Sequence, residues 1–260
     1  MSGRRIALLR DPVPGNAALD TAASREILDE VARGERPETL RLWRPADALA
    51  FSVVDRTLPG FPEAVAAARA AGFEPFLRLA GGHASVYTRE VLAFAWAIPA
   101  PDFRVGVAER FDEVAGLVTA ALRALGVEAR IGEVPGEYCP GSHSVNARGR
   151  VKLMGVGQRV VRGAAYVGGA IVAGGSARLR GVLGPVYGAL GLAFDPQALG
   201  SVEDERAGTG PDEVAEALLA ELARRHELLP GILEPGVVER AARSQSRYAM
   251  DREAAGATPD

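Results

Sequence analysis

Two residues occur once each in this 260-residue chain: Cys139 is its only cysteine and Lys152 its only lysine. A thiol acts as a nucleophile when it ionises, which polar, partly exposed surroundings favour; a cysteine in an apolar core is inert. Cys139 sits in Gly136-Glu-Tyr-Cys-Pro-Gly-Ser-His143, where glycines, proline, serine and glutamate describe an exposed turn. His143, four residues on, is a candidate base for the thiol. Lysine differs from arginine in offering a compact ammonium that points strong donors at one oxygen or phosphate. All other basic residues, twenty-nine of thirty, are arginine, so a lysine thirteen positions after the cysteine marks a place that needs a point charge.

Glycine pairs supply the other motifs. Arg78-Leu-Ala-Gly81-Gly82-His83-Ala84-Ser-Val-Tyr87 sets a double glycine between two strand-like segments. That is either a tight hairpin turn or a close backbone approach with successive N–H groups aimed at an anion or carbonyl. Gly155-Val-Gly157-Gln158 begins like a dinucleotide fingerprint but lacks the third glycine and the following helix, which excludes that site. Gly168-Gly169 and Gly174-Gly175 precede no Gly-Lys-Ser/Thr and are expected to ease strand curvature.

Composition narrows the partners. Thirty basic against thirty-three acidic residues give a net charge of -3, so neither nucleic acid nor an anionic membrane is an expected partner. The longest uncharged small-residue run, 163–177, is too short for a spanning helix and contains five glycines. Arg4 and Arg5 are followed by only four apolar residues before Arg10, too few for a signal peptide, and the expected location is cytoplasmic. One cysteine and three histidines leave no expected metal site.

The pattern of apolar residues predicts the elements that must position these groups. Helices are expected at 17–33, 61–71 and 108–125, the last with Phe111, Val114, Leu117 and Val118 facing the core. Strands are expected at 39–43, 49–54, 76–79, 85–87, 91–98 and 127–131. Two longer ones, 151–161 and 164–173, are joined by a hairpin at Arg162-Gly163. Neighbouring strands with no helix between them argue against a doubly wound parallel sheet. The expected class is α+β, a mixed, largely antiparallel sheet with flanking helices. The charged segment 201–211 reads as a loop or linker. Helices at 212–226, with His226 facing solvent, and at 234–243 follow, and the last dozen residues are expected to fray. This divides the chain into a main domain, 1–205, and a helical C-terminal extension, 206–260, packed on it.

Taken in order, the Arg78–Tyr87 block, Cys139-Pro-Gly-Ser-His143-Ser144-Val-Asn146 and Gly149-Arg-Val-Lys152-Leu-Met-Gly155-Val-Gly-Gln158-Arg159 resemble the lipoate-protein ligase and octanoyltransferase family. The resemblance covers about residues 15–200. It is closest to the branch of cysteine-dependent octanoyl transferases and amidotransferases, and it implies the biotin/lipoate ligase-like α+β fold. It also implies that Cys139 carries the acyl group as a thioester and that Lys152, with Gly155, holds the acyl carbonyl. Arg78, Gly81, Gly82, His83, Ala84 and Tyr87 of the first block are implied in substrate binding. So are His143 and Ser144 of the second block and Gln158 of the third. His83 stands where many relatives carry glycine, arginine or leucine.

The implied reaction moves an octanoyl or lipoyl group from an acyl carrier protein or other acyl donor, through Cys139, to a lysine of a lipoyl-domain acceptor protein. No cofactor is required. Two alternatives remain open: an ATP-dependent ligase that uses ATP and Mg to make an acyl-adenylate, and a non-catalytic acyl- or carrier-binding protein. A cysteine hydrolase built on Cys139 and His143 has the residue types but no orienting partner.

Overall fold

The computed structural model describes residues 3–10, 13, 15–102 and 104–250. The chain runs β1 (Arg5–Leu9), α1 (Ala17–Ala32), β2 (Thr39–Trp43), β3 (Ala48–Phe51), α2 (Phe61–Ala70), β4 (Glu74–Leu77), β5 (Ser85–Tyr87) and β6 (Val91–Ala100). It continues through α3 (Val107–Ala124), β7 (Ala129–Ile131), β8 (Val145–Ala147), β9 (Val151–Val161) and β10 (Gly163–Val172). It ends with α4 (Ser176–Leu190), α5 (Val202–Glu205), α6 (Pro211–Ala223), β11 (Glu227–Pro230) and α7 (Pro235–Ser244).

The fold is α+β, as expected. The large sheet has the order β11-β1-β2-β6-β10-β9-β8-β7, and a smaller one the order β4-β3-β5. β1 pairs in parallel with β11 and β2, and every other pair in the large sheet is antiparallel. β6 is buried along nearly its whole length, which is why its sequence is almost continuously apolar rather than alternating. The β9–β10 hairpin turns where predicted, with Gly163 at φ +93°.

One face of the large sheet packs on α3 and α6 through Leu42, Phe94, Trp96, Leu117, Val118, Leu218 and Leu222. On the other face α1 and α7 bury Ile27, Leu28 and Val237 against Leu9, Ala97 and Ala164. A second core lies between the small sheet and helices α2 and α4. It joins Phe51, Val65, Phe73, Val86, Leu183 and Tyr187 to Tyr138, with Cys139 packed at its margin. The cysteine-bearing loop is therefore anchored on the second core and the lysine-bearing strand on the large sheet.

Several elements differ from expectation. β3 ends at Phe51 instead of running to Val54, because Ser52 and Asp55 hydrogen-bond each other's backbone and start a turn. β4 begins at Glu74, so Arg78 and Leu79 lie past its end in the following loop. Gly174 and Gly175 do not curve a strand; they form the turn before α4, with Gly175 at φ +69°. α4 itself was not anticipated. The C-terminal part is not purely helical, since β11 extends the large sheet beside β1. His226 does not face solvent. It follows α6, is 10% exposed, and meets Glu113 and the edge of Trp96. The final residues expected to fray lie, beyond Met250, outside those described. Among the described residues no helix is long and apolar enough to cross a membrane.

Candidate functional site

Three segments converge: the β4–β5 loop carrying Arg78 to Ala84, the β7–β8 loop carrying Glu137 to Ser144, and the start of β9 carrying Lys152. The backbone of Cys139 is left-handed, at φ +43°, a conformation that L-residues rarely hold without support. Its N–H donates to the Tyr187 hydroxyl at 2.7 Å, and that hydroxyl donates to the Ala84 carbonyl at 2.8 Å. One phenol thus ties the two loops together.

Lys152 lies beneath the cysteine. Its ammonium donates to the carbonyls of Tyr138 (3.0 Å) and Cys139 (2.7 Å) and to Glu137 Oε1 (2.9 Å), matching the three donors an ammonium has. It also sits 4.7 Å from the centre of the Tyr138 ring. The side chains of Lys152 and Glu137 are 1% and 0% exposed, so each is the other's compensation for lost water. Glu137 also accepts from the Ser144 hydroxyl (2.6 Å) and from the N–H groups of Gly141 (3.2 Å) and Val134 (2.9 Å). This buried carboxylate pins the loop from within. Sequence reasoning did not single it out, although it stands two residues before the cysteine.

The sulfur faces the other loop. Sγ accepts the N–H of His83 at 3.1 Å and lies 3.4 Å from an Arg78 guanidinium nitrogen. Burial opposes ionisation of the thiol. The charges of Arg78 and Lys152, with the hydrogen bonds from Arg78 and His83, outweigh it and hold the thiol below its ordinary value. Burial works against the Arg78 charge too, but Cys139 and nearby tyrosines keep the guanidinium protonated, and its Nε is buried with no hydrogen-bond partner.

Of the glycine pair, Gly82 has the steric reason. At φ +96°, a Cβ there would fall 2.5 Å from Arg78 and 2.7 Å from Sγ, whereas nothing lies within 4 Å of a Cβ at Gly81. Gly157 matters similarly: a Cβ would come 2.8 Å from Ala80 Cβ, so β9 runs hard against the first loop. At Gly155 it would come 3.2 Å from Lys152 Cε.

A small cavity of about 30 Å³ opens at the sulfur, bordered by Cys139, Lys152, Gly155, Gly157, Tyr87, Tyr166 and Arg78. The last three also border a much larger cavity of about 530 Å³, whose walls include Asp20, Phe76 and Phe94. Arg78, Tyr87 and Tyr166 thus stand between the thiol's small cavity and a space of the size that takes small ligands.

Other expected residues lie elsewhere. The imidazole of His143 meets Asp112 and the Ser142 hydroxyl, each at 3.1 Å, and stacks on Phe111; none of these contacts is with Cys139. The thiol has no partner in the candidate base. Gln158 binds Arg110 (2.6 Å) and the Val107 carbonyl (3.1 Å), securing the start of α3. His83 has a partner that the sequence did not reveal: Nδ1 lies 2.8 Å from Oδ1 of the buried Asp55.

Comparison with known proteins identifies the family and the fold. The family model described as the lipoyl protein ligase A/B catalytic domain matches residues 16–222. Among curated proteins, the chain is 29% identical over 137 residues to the octanoyl-[GcvH]:protein N-octanoyltransferase of Geobacillus kaustophilus, covering 53% of this chain and 48% of that one. It is 31% identical over 133 residues to the protein of the same name from an Exiguobacterium species, covering 51% and 47%. The chain matches about half the length of these relatives. Among solved structures, a lipoate-protein ligase A bound with ATP superposes with a TM-score of 0.73 at 20% identity, over 95% of both chains. A lipoate protein ligase homologue from T. acidophilum with bound lipoic acid gives 0.72 at 20% identity, over 95% and 96%. These two show a shared fold. By the family match across most of its length, the chain belongs to the lipoyl protein ligase A/B catalytic domain family.

Proposed function

We propose that this protein is an acyltransferase that moves an octanoyl or lipoyl group, through a thioester on Cys139, from a carrier protein to a lysine of a lipoyl-domain protein. The observation that carries the reading is the setting of the sulfur. It is held between Arg78 and the His83 N–H, biased toward thiolate, and borders a small cavity that shares three lining residues with a larger one. The name shared by the curated relatives supports the same class of reaction.

In the first half-reaction the thiolate attacks the acyl carbonyl carbon. The bond from that carbon to the carrier breaks, its electron pair leaves with the carrier atom, and that atom takes up a proton. In the second, the nitrogen of the acceptor lysine attacks the thioester carbon, the C–S bond breaks, and the sulfur departs as thiolate. A thioester is more reactive than the amide that replaces it, so the second step draws the sequence forward.

Each tetrahedral intermediate carries an oxyanion one bond from the carbon joined to Sγ. Arg78 and the His83 N–H, already grouped at the sulfur, are placed to receive it. Removal of one such donor typically costs about 100–1,000-fold. Lys152 acts in this reading by holding the Cys139 turn and lending its charge. To hold the acyl carbonyl as well, it must exchange one of its carbonyl partners for the substrate's.

An isotopically labelled octanoyl donor mixed with the protein and followed by intact mass tests the proposal. It expects an added octanoyl mass without ATP, removable by hydroxylamine and absent in Cys139→Ala. Turnover only with ATP and Mg, with no mass on Cys139, establishes the ligase alternative instead. Binding without turnover in either condition establishes the non-catalytic one.

A further inference from the structure

We propose that His83, held by Asp55, is the base that takes the proton from the acceptor lysine in the second half-reaction; this rests on the transfer reading above. The need for a base follows from ordinary charge states. A lysine amine arrives protonated at neutral pH, with a model value near 10.4, and attacks only as the free amine. By then the cysteine sulfur is occupied as a thioester and accepts no proton.

The groups around that sulfur leave one candidate. Arg78 and Lys152 are cations with no acceptor. Glu137 is closed inside the loop by Lys152, Ser144, Gly141 and Val134. Burial pushes the Tyr87 and Tyr138 phenols up, so they stay protonated. The ring of His143 is engaged by Asp112, Ser142 and Phe111.

His83 differs from all of these. Its own backbone N–H is 3.1 Å from Sγ, so the residue that carries this imidazole is in direct contact with the reacting sulfur. Nδ1 is fixed on Asp55 Oδ1 at 2.8 Å, and the ring is 30% exposed. Among the described residues Nε2 has no hydrogen-bond partner, and it lies on the side of the ring away from the buried carboxylate.

Asp55 is a positioning residue with a rigid mounting. It is fully buried, its Oδ2 accepts the Ser52 N–H at 2.8 Å, and the Ser52 hydroxyl accepts from the N–H groups of Val54 and Asp55. A carboxylate on Nδ1 keeps the proton there, makes Nε2 the acceptor, and stabilises the imidazolium that forms. In the step itself, Nε2 takes one proton from the arriving ammonium and passes it to water. The electron pair so freed forms the C–N bond, the C–S pair returns to Sγ as thiolate, and the second N–H proton of the adduct passes to Nε2, from which the imidazolium loses it to water.

The test separates the half-reactions. Wild type, His83→Gln and Asp55→Asn are acylated with a labelled octanoyl thioester. The acyl-enzyme is then mixed with a lipoyl-domain protein, and both steps are timed by intact mass across pH 6–10. The expected result is that His83→Gln slows the second step at pH 7 by about 100-fold or more beyond any loss in the first. That deficit should shrink as pH rises and free amine becomes abundant. Asp55→Asn should fall between it and wild type. Asp55 is the charged partner of the ring, and Arg78 and Cys139 lie at the backbone N–H of the same residue, so the first step, which also depends on them, is the internal reference. Equal losses in both steps, or a second step as fast as wild type, overturns the proposal. Absence of any acyl mass on wild-type Cys139 overturns the transfer reading itself, and this role with it.

Discussion

The ammonium of Lys152 lies 2.7 Å from the carbonyl oxygen of Cys139. The chain's one lysine and one cysteine are thus joined, but through the cysteine's backbone, with the sulfur turned to Arg78 and His83 on the opposite loop. Lys152→Arg should fail for a steric reason, since a planar guanidinium cannot satisfy Glu137 and two carbonyls converging on one point. We expect octanoyl transfer to fall at least tenfold and the melting temperature to drop, read by the intact-mass assay and thermal denaturation.

Cys139→Ala should abolish acyl-enzyme formation while the protein remains folded, because the backbone N–H to Tyr187 and the carbonyl to Lys152 are both retained. The left-handed φ of Cys139 is unfavourable for alanine as well, so any stability change should stay within about 1 kcal/mol. Circular dichroism and intact mass check the two halves of this statement.

Arg78→Gln removes the strongest attraction holding the thiol down. The thiolate loses stabilisation, the thiol value rises, and alkylation by iodoacetamide at pH 7 slows. The wild-type rate should reach its plateau at lower pH than the variant's. The same sign governs stability: the native state gains from the low thiol value above the unfolded-state value and loses that gain as pH falls through the native one.

Gly82→Ala and Gly81→Ala form a matched pair. The first drives a methyl into Arg78 and Sγ at a positive φ and should cost about 1–3 kcal/mol together with most activity. The second meets open space and should be within about 0.5 kcal/mol of wild type. Urea denaturation and the transfer assay on both variants check the contrast.

Glu38 gives a pH signature away from the site. Burial, opposed by Arg4, raises its carboxyl to about 7. A raised native value means that the neutral acid's contribution is complete below the unfolded value near 4.5 and is lost as pH rises through 7. Glu38→Gln, which stays neutral, should therefore gain on wild type by about 1–3 kcal/mol at pH 8.5 and by much less at pH 5. Denaturant midpoints at the two pH values measure it.

The hairpin of β9 and β10 was legible in the sequence because β-branched and small residues run on either side of Arg162-Gly163. Helix α4 was hidden by Gly181, Gly184, Pro185 and Gly188, each unfavourable in a helix interior. Its buried stripe, Leu179, Val182, Leu183, Val186, Tyr187 and Leu190, nonetheless has helical spacing. Cys139 and Lys152 stood out by their rarity, by the polar turn around the cysteine and by the family resemblance of both blocks. The roles of Tyr187 and Asp55 were not readable, since each depends on a loop brought from a distant part of the chain. Asp55 had a local signal in Ser52-x-x-Asp55, a spacing suited to reciprocal backbone capping, which the apolar Val53 and Val54 disguised as strand.

Tyr187 reaches the reacting loops from a helix whose buried apolar stripe lies in the second core. Heat, denaturant or a cavity in that core would loosen the clasp between Cys139 and Ala84 before the large sheet yields. Loss of turnover on warming should therefore precede loss of most secondary structure, and substitutions that tighten α2 against α4 should extend the working temperature without touching any reacting group.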